Sequence, residues 1–335
     1  MKKTEKKHHL KSPSIIIKED IVLQGEPTAY DITTIFRTIE RKNIDELDSY
    51  FISDLLSLDA LRIILYKLSL SILFYKERLL LYDVPEDLHQ FRVHIRKSRA
   101  FLKEFKFLFP KKKYNYLYEH LSTFATQTNK KRDLDVMSKR LLELDEEHDF
   151  MQEVIKQQQV QEEQKIEEML RSQIFNTFFL SYQNALKNNT LLRADNNKTT
   201  IEYTAKQIIK NLHLQIVKKI DALEKEYHDK ELHKIRISLK KIRYLLEDFK
   251  QIFGEIKINE MIKKGKKLQT LLGDFNDTVN QAALFHDFFQ LNTKNFPEDK
   301  QFEHKFLEKT SKREEKLKRK AMKKLHKFKG QAFKL

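Results

Sequence analysis

A histidine followed by cations at +3, +7, +8 and +10 occurs twice in this chain, and the two copies lie 144 residues apart. The first copy is His89, Arg92, Arg96, Lys97 and Arg99; the second is His233, Arg236, Lys240, Lys241 and Arg243. One basic helix is ordinary. Two in the same order restrict the fold to one that builds a single helical device twice. At about 100° per residue, His89, Arg92, Arg96 and Arg99 share a sector of about 80°, with Lys97 at its margin. The other side carries Phe91, Ile95, Leu102, Phe105 and Phe109. In the second copy it carries Ile235, Leu239, Ile242, Leu246, Phe249 and Phe253. Each helix is expected to bury one apolar stripe and present a cationic one.

The cationic stripe from His89 to Arg99 is about 15 Å long. No Asp or Glu interrupts the chain between His89 and Lys103, or between His233 and Leu246. Solvated helix faces usually mix signs, because like charges at i,i+4 repel by a few tenths of a kcal/mol. An unneutralised pair of stripes implies that the counter-charge arrives with a ligand, and the length suits an extended polyanion. The whole chain agrees: 65 Lys and Arg against 49 Asp and Glu give a formal net charge of +16 over 335 residues. That balance favours nucleic acid, anionic lipid or inorganic phosphate polymers as partners.

Composition removes several chemistries. Cysteine is absent, which excludes disulfides, thiolate metal sites and Cys nucleophiles. With five glycines and five prolines the chain is expected to form long helices joined by short loops. No G-x-x-x-x-G-K-[ST] or G-x-G-x-x-G occurs, so side chains rather than a glycine loop must hold any phosphate. The charged first ten residues and the short run Ile15–Ile17 do not read as a secretory leader. The apolar stretch Leu58–Tyr82 carries Arg62, Lys67, Lys76, Glu77 and Arg78, so it reads as a buried helix and not a membrane span. A cytoplasmic location is expected.

The predicted order begins with a basic arm over 1–30 and short helices to residue 54. A long helix over 58–82 follows, then the first motif helix over 86–109, stopped by Pro110. A third helix covers 113–129, and a fourth opens near Asp133 and runs toward Leu170. Another helix over 175–186 ends at the Asn/Lys-rich linker. The second half repeats the order with helices at 200–228, 231–253, 257–272 and 275–291. The constant offset also maps Phe109 to Phe253, Asn129 to Gly273 and Asp133 to Asp277, which argues for duplication of a whole supersecondary unit. The expected fold class is all-α, with two four-helix bundles of long antiparallel helices about a pseudo-twofold axis. The expected parts are 1–57 (basic arm and accessory helices), 58–186 (first repeat), 187–199 (linker), 200–296 (second repeat) and 297–335. The last reads as a Lys-rich helical extension, either solvated or engaged with a membrane surface or a further polyanion.

His89 and His233 open their helices beside several cations. They are either neutral groups that protonate when an anion arrives, or packing residues bonded to a backbone carbonyl. Metal ligation is not expected, since no H-E-x-x-H spacing accompanies them. The acidic residues Asp133, Asp135, Asp274 and Asp277 read either as acid/base or Mg²⁺ groups, or as helix caps that orient nearby cations. The second is preferred. Tyr244 lies about 20° from the histidine direction and either donates to a phosphate or closes the groove.

Four segments in this order, His89–Ala100, Arg132–Val136, His233–Glu247 and Leu268–Asp277, resemble the signatures of the CHAD domain (conserved histidine α-helical domain). The resemblance covers roughly residues 58–291. It implies two four-helix bundles around a pseudo-twofold axis, binding of inorganic polyphosphate through basic residues, and association with polyphosphate granules. The implied binding set is His89, Arg92, Arg96, Lys97, Arg99, Lys103, Arg132, His233, Arg236, Lys240, Lys241, Arg243, Tyr244, Lys264 and Lys267. Asn129 replaces a frequent glycine, and Thr123 stands opposite Lys267. Some relatives are fused to a triphosphatase tunnel carrying E-x-E-x-K; that motif is absent here. No catalysis and no cofactor are therefore expected, and the alternative reading is a nucleic-acid backbone binder.

Overall fold

The computed structural model describes residues 32–41, 55–82, 84–142, 149–192, 199–292 and 299–329. The basic arm therefore lies outside the described residues, as do residues 193–198 of the linker. In chain order the helices are α1 (Ile32–Arg41), α2 (Ser57–Leu81), α3 (Pro85–Glu104), α4 (Lys111–Gln127), α5 (Asn129–Leu142) and α6 (Asp149–Arg171). They continue as α7 (Gln173–Lys187), α8 (Ile201–Lys225), α9 (Asp229–Asp248), α10 (Lys250–Phe253), α11 (Glu255–Asn292) and α12 (Asp299–Lys329). The fold is all-α; among the described residues the β-type pairing is one isolated bridge, Leu56 with Thr200.

The spacing seen in the motifs governs whole elements. α2 and α8 are both 25 residues long, α3 and α9 both 20, and every boundary is displaced by the same interval as the histidines. Contacts between the copies are reciprocal. The N–H of Ser57 donates to Thr199 O at 3.0 Å, and that of Ile201 donates to Leu55 O at 2.7 Å. Lys97 meets Asp248 at 3.8 Å, while Lys241 meets Glu104 at 2.6 Å. Phe105 and Phe249, equivalent residues, face each other with ring centroids 6.5 Å apart. Such reciprocity is what a self-complementary, two-fold contact produces.

The apolar stripes become the core. Phe91, Ile95, Leu102, Phe105, Ile235, Leu239, Ile242, Leu246 and Phe249 are all buried, each large side chain contributing about 1.5–3 kcal/mol. α2 packs on α3, α3 on α4, α8 on α9 and α9 on α11. The motif helices end by different chemistry at equivalent positions. Pro110 precedes α4, whereas Gly254 adopts φ 85° before α11, a conformation that a side chain would strain.

Three expectations are corrected. The fourth helix of the first half, expected to run toward Leu170, is two helices, α5 and α6, and the break that follows α6 is the expected one. Ser172 makes that break by accepting from the N–H of Phe175 at 3.2 Å, capping α7. The third and fourth helices expected at 257–272 and 275–291 are one helix, α11. In the first half Thr128 ends α4, its hydroxyl donating to Ala125 O at 2.8 Å. The equivalent Leu272 has no hydroxyl to compete with the helix, so the backbone runs on.

The third correction concerns the C-terminal extension. Its described part is α12, a packed helix with Phe306, Thr310, Ala321, Leu325 and Phe328 buried against α11 and α8. Phe306 lies on Phe285 with centroids 4.3 Å apart, within a core shared with Leu134, Met137, Met151 and Ile155. No described helix is long and apolar enough to cross a membrane. Replacing Ser172 by Ala is expected to lower stability by about 1 kcal/mol, read as a fall of about 2–4 °C in thermal midpoint.

Candidate anion-binding site

α3 and α9 lie against each other, and their facing positions decide what gathers between them. Arg96 and Lys240 occupy equivalent places and sit near the centre. Burial and the neighbouring Arg236, Arg132 and Arg243 depress the Arg96 guanidinium, which Tyr244 partly offsets. Lys240 is depressed to about 8, first by burial and then by Arg236, Arg96 and Arg243; Asp277 opposes them. A cationic amine held this low marks positive charge crowded into a partly dry place. The Nε–H groups of Arg96, Arg99 and Arg236 are buried with no hydrogen-bond partner among the described residues. Orphaned donors on charged groups are expensive unless something arrives to accept from them.

The chain matches the CHAD domain family over residues 66–286, well over half its length. It belongs to the CHAD domain family. A solved structure, that of the CHAD domain from the plant Ricinus communis, superposes on this CHAD chain with a TM-score of 0.68 at 20% identity. The match covers 82% of this chain and 93% of that one, and at such identity it speaks for the fold. No curated protein sequence matches the chain.

The flanks of this CHAD cluster are held by polar partners that differ between the copies. Arg92 donates to Thr128 Oγ1 at 2.6 Å, Asn129 Oδ1 at 2.9 Å and Ala125 O at 3.2 Å, so its fork is used at the α4–α5 corner. It is nonetheless depressed to about 10 by burial, Arg96 and Arg132. Its counterpart Arg236 reaches Asp277 at 3.4 Å. Gly273 stands where Asn129 stands in the first copy; an added Cβ would lie 4.0 Å from Arg236 Nε, an ordinary contact. His89 is held below the ordinary imidazole range by burial, then by Arg132, Arg96 and Arg92. His233 is exposed and its Nδ1 is hydrogen-bonded to Asn276 Oδ1, the residue equivalent to Arg132. The His233 contact is not the backbone-carbonyl bond that a packing histidine would make.

Several predicted residues are placed differently from expectation. Lys97 and Lys241, expected in the binding set, are spent on carboxylates of the opposite copy. Lys97 meets Glu247 at 3.5 Å and Asp248 at 3.8 Å, and lies 5.5 Å from the Tyr244 ring centroid. Burial lowers its pKa, but Asp248 and Glu247 outweigh this and leave it raised. Arg243 has its Nε 3.2 Å from Glu247 Oε1, yet that N–H does not point along the contact and makes no hydrogen bond. Arg99 stacks over Tyr118 at 5.1 Å and donates weakly to its hydroxyl at 3.4 Å. The Tyr244 ring is buried, with Lys97 Nζ and the Arg243 guanidinium each 5.5 Å from its centroid. Lys103 is exposed and acts on Lys219, away from the centre. Lys267 is exposed, and its carbonyl accepts from Lys324 Nζ at 3.5 Å. The Lys264 side chain lies outside the described residues.

Asp133, Asp135 and Asp277 lie beside cations without capping helices. Asp133 stands four residues inside α5, near Arg92 and Arg132, with its carboxyl raised chiefly by burial. Asp135 accepts from Lys131 at 2.5 Å and Gln159 at 2.9 Å. Asp274 and Asp277 lie within α11, so the capping expectation fails for them. Among the described residues no group of three His, Asp or Glu is placed to hold a metal ion. Thr128, Tyr118 and Glu104 were not among the predicted site residues. Only Glu104 carried a signal, as the acid that ends the first acid-free stretch at the position equivalent to Asp248.

Proposed function

We propose that this CHAD protein binds inorganic polyphosphate, without catalysis, through the cationic cluster between α3 and α9. The observation that carries the reading is the pairing of Arg96 with Lys240 among Arg132, Arg236 and Arg243. The Nε–H donors of Arg96, Arg99, Arg236 and Arg243 are buried without acceptors among the described residues, and one carboxylate, Asp277, acts on Lys240. A chain of phosphates supplies repeated oxygens to such donors, and Arg forks accept them bidentately. Affinity then grows from many modest contacts on one polymer. The reciprocal contacts support two units about a pseudo-twofold axis, with α12 serving as the last helix of the second. A cytoplasmic place on polyphosphate granules follows from this reading.

Binding of long-chain polyphosphate at physiological salt tests the proposal, with RNA as competitor and a gel assay in Mg²⁺ for chain length. RNA is expected to displace the polymer poorly, and chain length is expected to stay constant. Easy displacement would favour the nucleic-acid reading, and shortening would establish an enzyme. His89 adds a pH signature. A bound anion offsets Arg132, Arg96 and Arg92, raising the imidazole from its depressed value, so the complex takes up a proton. Affinity is expected to increase several-fold as pH falls through about 6.5. A flat titration between about pH 5.5 and about pH 8 would refute this role.

A further inference from the structure

We propose that the outer face of α12 is a second polyanion-binding surface, a straight track of lysines that engages long phosphate polymers outside the central cluster. Lys305, Lys309, Lys312, Lys316, Lys320, Lys323 and Lys327 are all exposed. At about 100° per residue they fall within one sector of about 80°, and they span about 33 Å of helix. Phe306, Thr310, Ala321, Leu325 and Phe328 occupy the other side, buried against α11 and α8. The track is therefore held outward by a packed helix and is not a loose tail.

Its charge is not answered within the chain. Lys312 pairs with Glu308 at 2.6 Å, whereas the other six make no ion pair among the described residues. The neighbouring acids are taken elsewhere: Glu315 by Arg319, and Glu224 by His326 and Lys329. Successive lysines three or four residues apart repel, so the row is a standing penalty that an anion relieves. Bound lipid is disfavoured, because an interfacial helix needs a free apolar face and that of α12 is buried. Nucleic acid is less suited, since the track offers no aromatic or arginine to stack on bases. A flexible chain of phosphates needs only a line of mobile point charges, which lysine provides.

The proposal rests on the polyphosphate reading of the central cluster and adds a second attachment for the same polymer. A chain too short to span both would feel only the cluster. The test uses the full chain carrying Lys309→Gln, Lys316→Gln, Lys320→Gln, Lys323→Gln and Lys327→Gln, all exposed positions. Binding is measured with polyphosphate of about 100 phosphates, with an oligophosphate of about six, and with duplex DNA. Long-chain affinity is expected to fall at least about tenfold with a shallower salt dependence, and oligophosphate affinity to stay within about twofold. Unchanged long-chain affinity would overturn the proposal, as would equal loss for both lengths, or a loss confined to duplex DNA. Failure of the oligophosphate to bind the unaltered chain would instead overturn the central reading. A long-chain loss in the fivefold variant would still support the track.

Discussion

Changing Arg96 and Lys240 together to glutamate is expected to lower affinity for long polyphosphate at least about 100-fold, equivalent to about 2.7 kcal/mol. The size follows from where the two residues lie. They are equivalent positions at the centre of the cluster, and both are depressed by their cationic neighbours. Each charge-assisted hydrogen bond to phosphate contributes about 1.5–3 kcal/mol when partly desolvated. Reversal removes two such partners and puts carboxylates where the phosphates would lie. The variant should also fold well, because new acids beside Arg132, Arg236 and Arg243 relieve repulsion. Circular dichroism and thermal melting verify folding, and fluorescence or filter binding reads affinity. Retention of full affinity in a folded variant would end the case for this cluster.

Replacing Lys240 alone by Met is expected to stabilise the ligand-free chain while weakening its hold on the polymer about tenfold. Lys240 titrates at about 8 in the folded chain and near 10.4 when unfolded. Between those values the unfolded chain binds more protons, so native stability increases with pH across that window. Below about pH 8 the penalty for holding a charged amine there is fully present, about 1–3 kcal/mol. Methionine keeps the volume and removes the charge, so the variant should melt higher at pH 7. Its stability should lack the increase between about pH 8 and about pH 10. A lower midpoint at pH 7, or an unchanged pH profile, would show that Lys240 is not under strain. Together the two variants separate stability from binding, because a cluster kept for an anion should improve the fold when dismantled.

Much of this was legible in the residues. The offset between His89 and His233 located α3 and α9, and their apolar stripes became the core because period-3.6 burial leaves a direct trace. The cationic faces were legible for the same reason. Which cations stay available was not. Lys97 and Lys241 sit beside Arg96 and Lys240 in sequence, yet they meet acids beyond the ends of the acid-free stretches, and only the crossing of α3 on α9 brings these together. The break after Thr128 was legible, but the one expected at the equivalent Leu272 is absent, because there no hydroxyl competes for the helix carbonyls. The packing of α12 was hidden because Phe306, Ala321 and Leu325 are spaced among many lysines.

The mirrored bonds that join Ser57 to Thr199 and Ile201 to Leu55 have a bearing on what the protein can recognise. A receptor whose halves answer each other presents nearly the same row of charges from left to right as from right to left. Nucleic acid strands run from one kind of end to another and would meet such a receptor in two unlike ways. On the proposed reading polyphosphate, identical from both ends, lies down in either sense, and every encounter starts in a usable orientation.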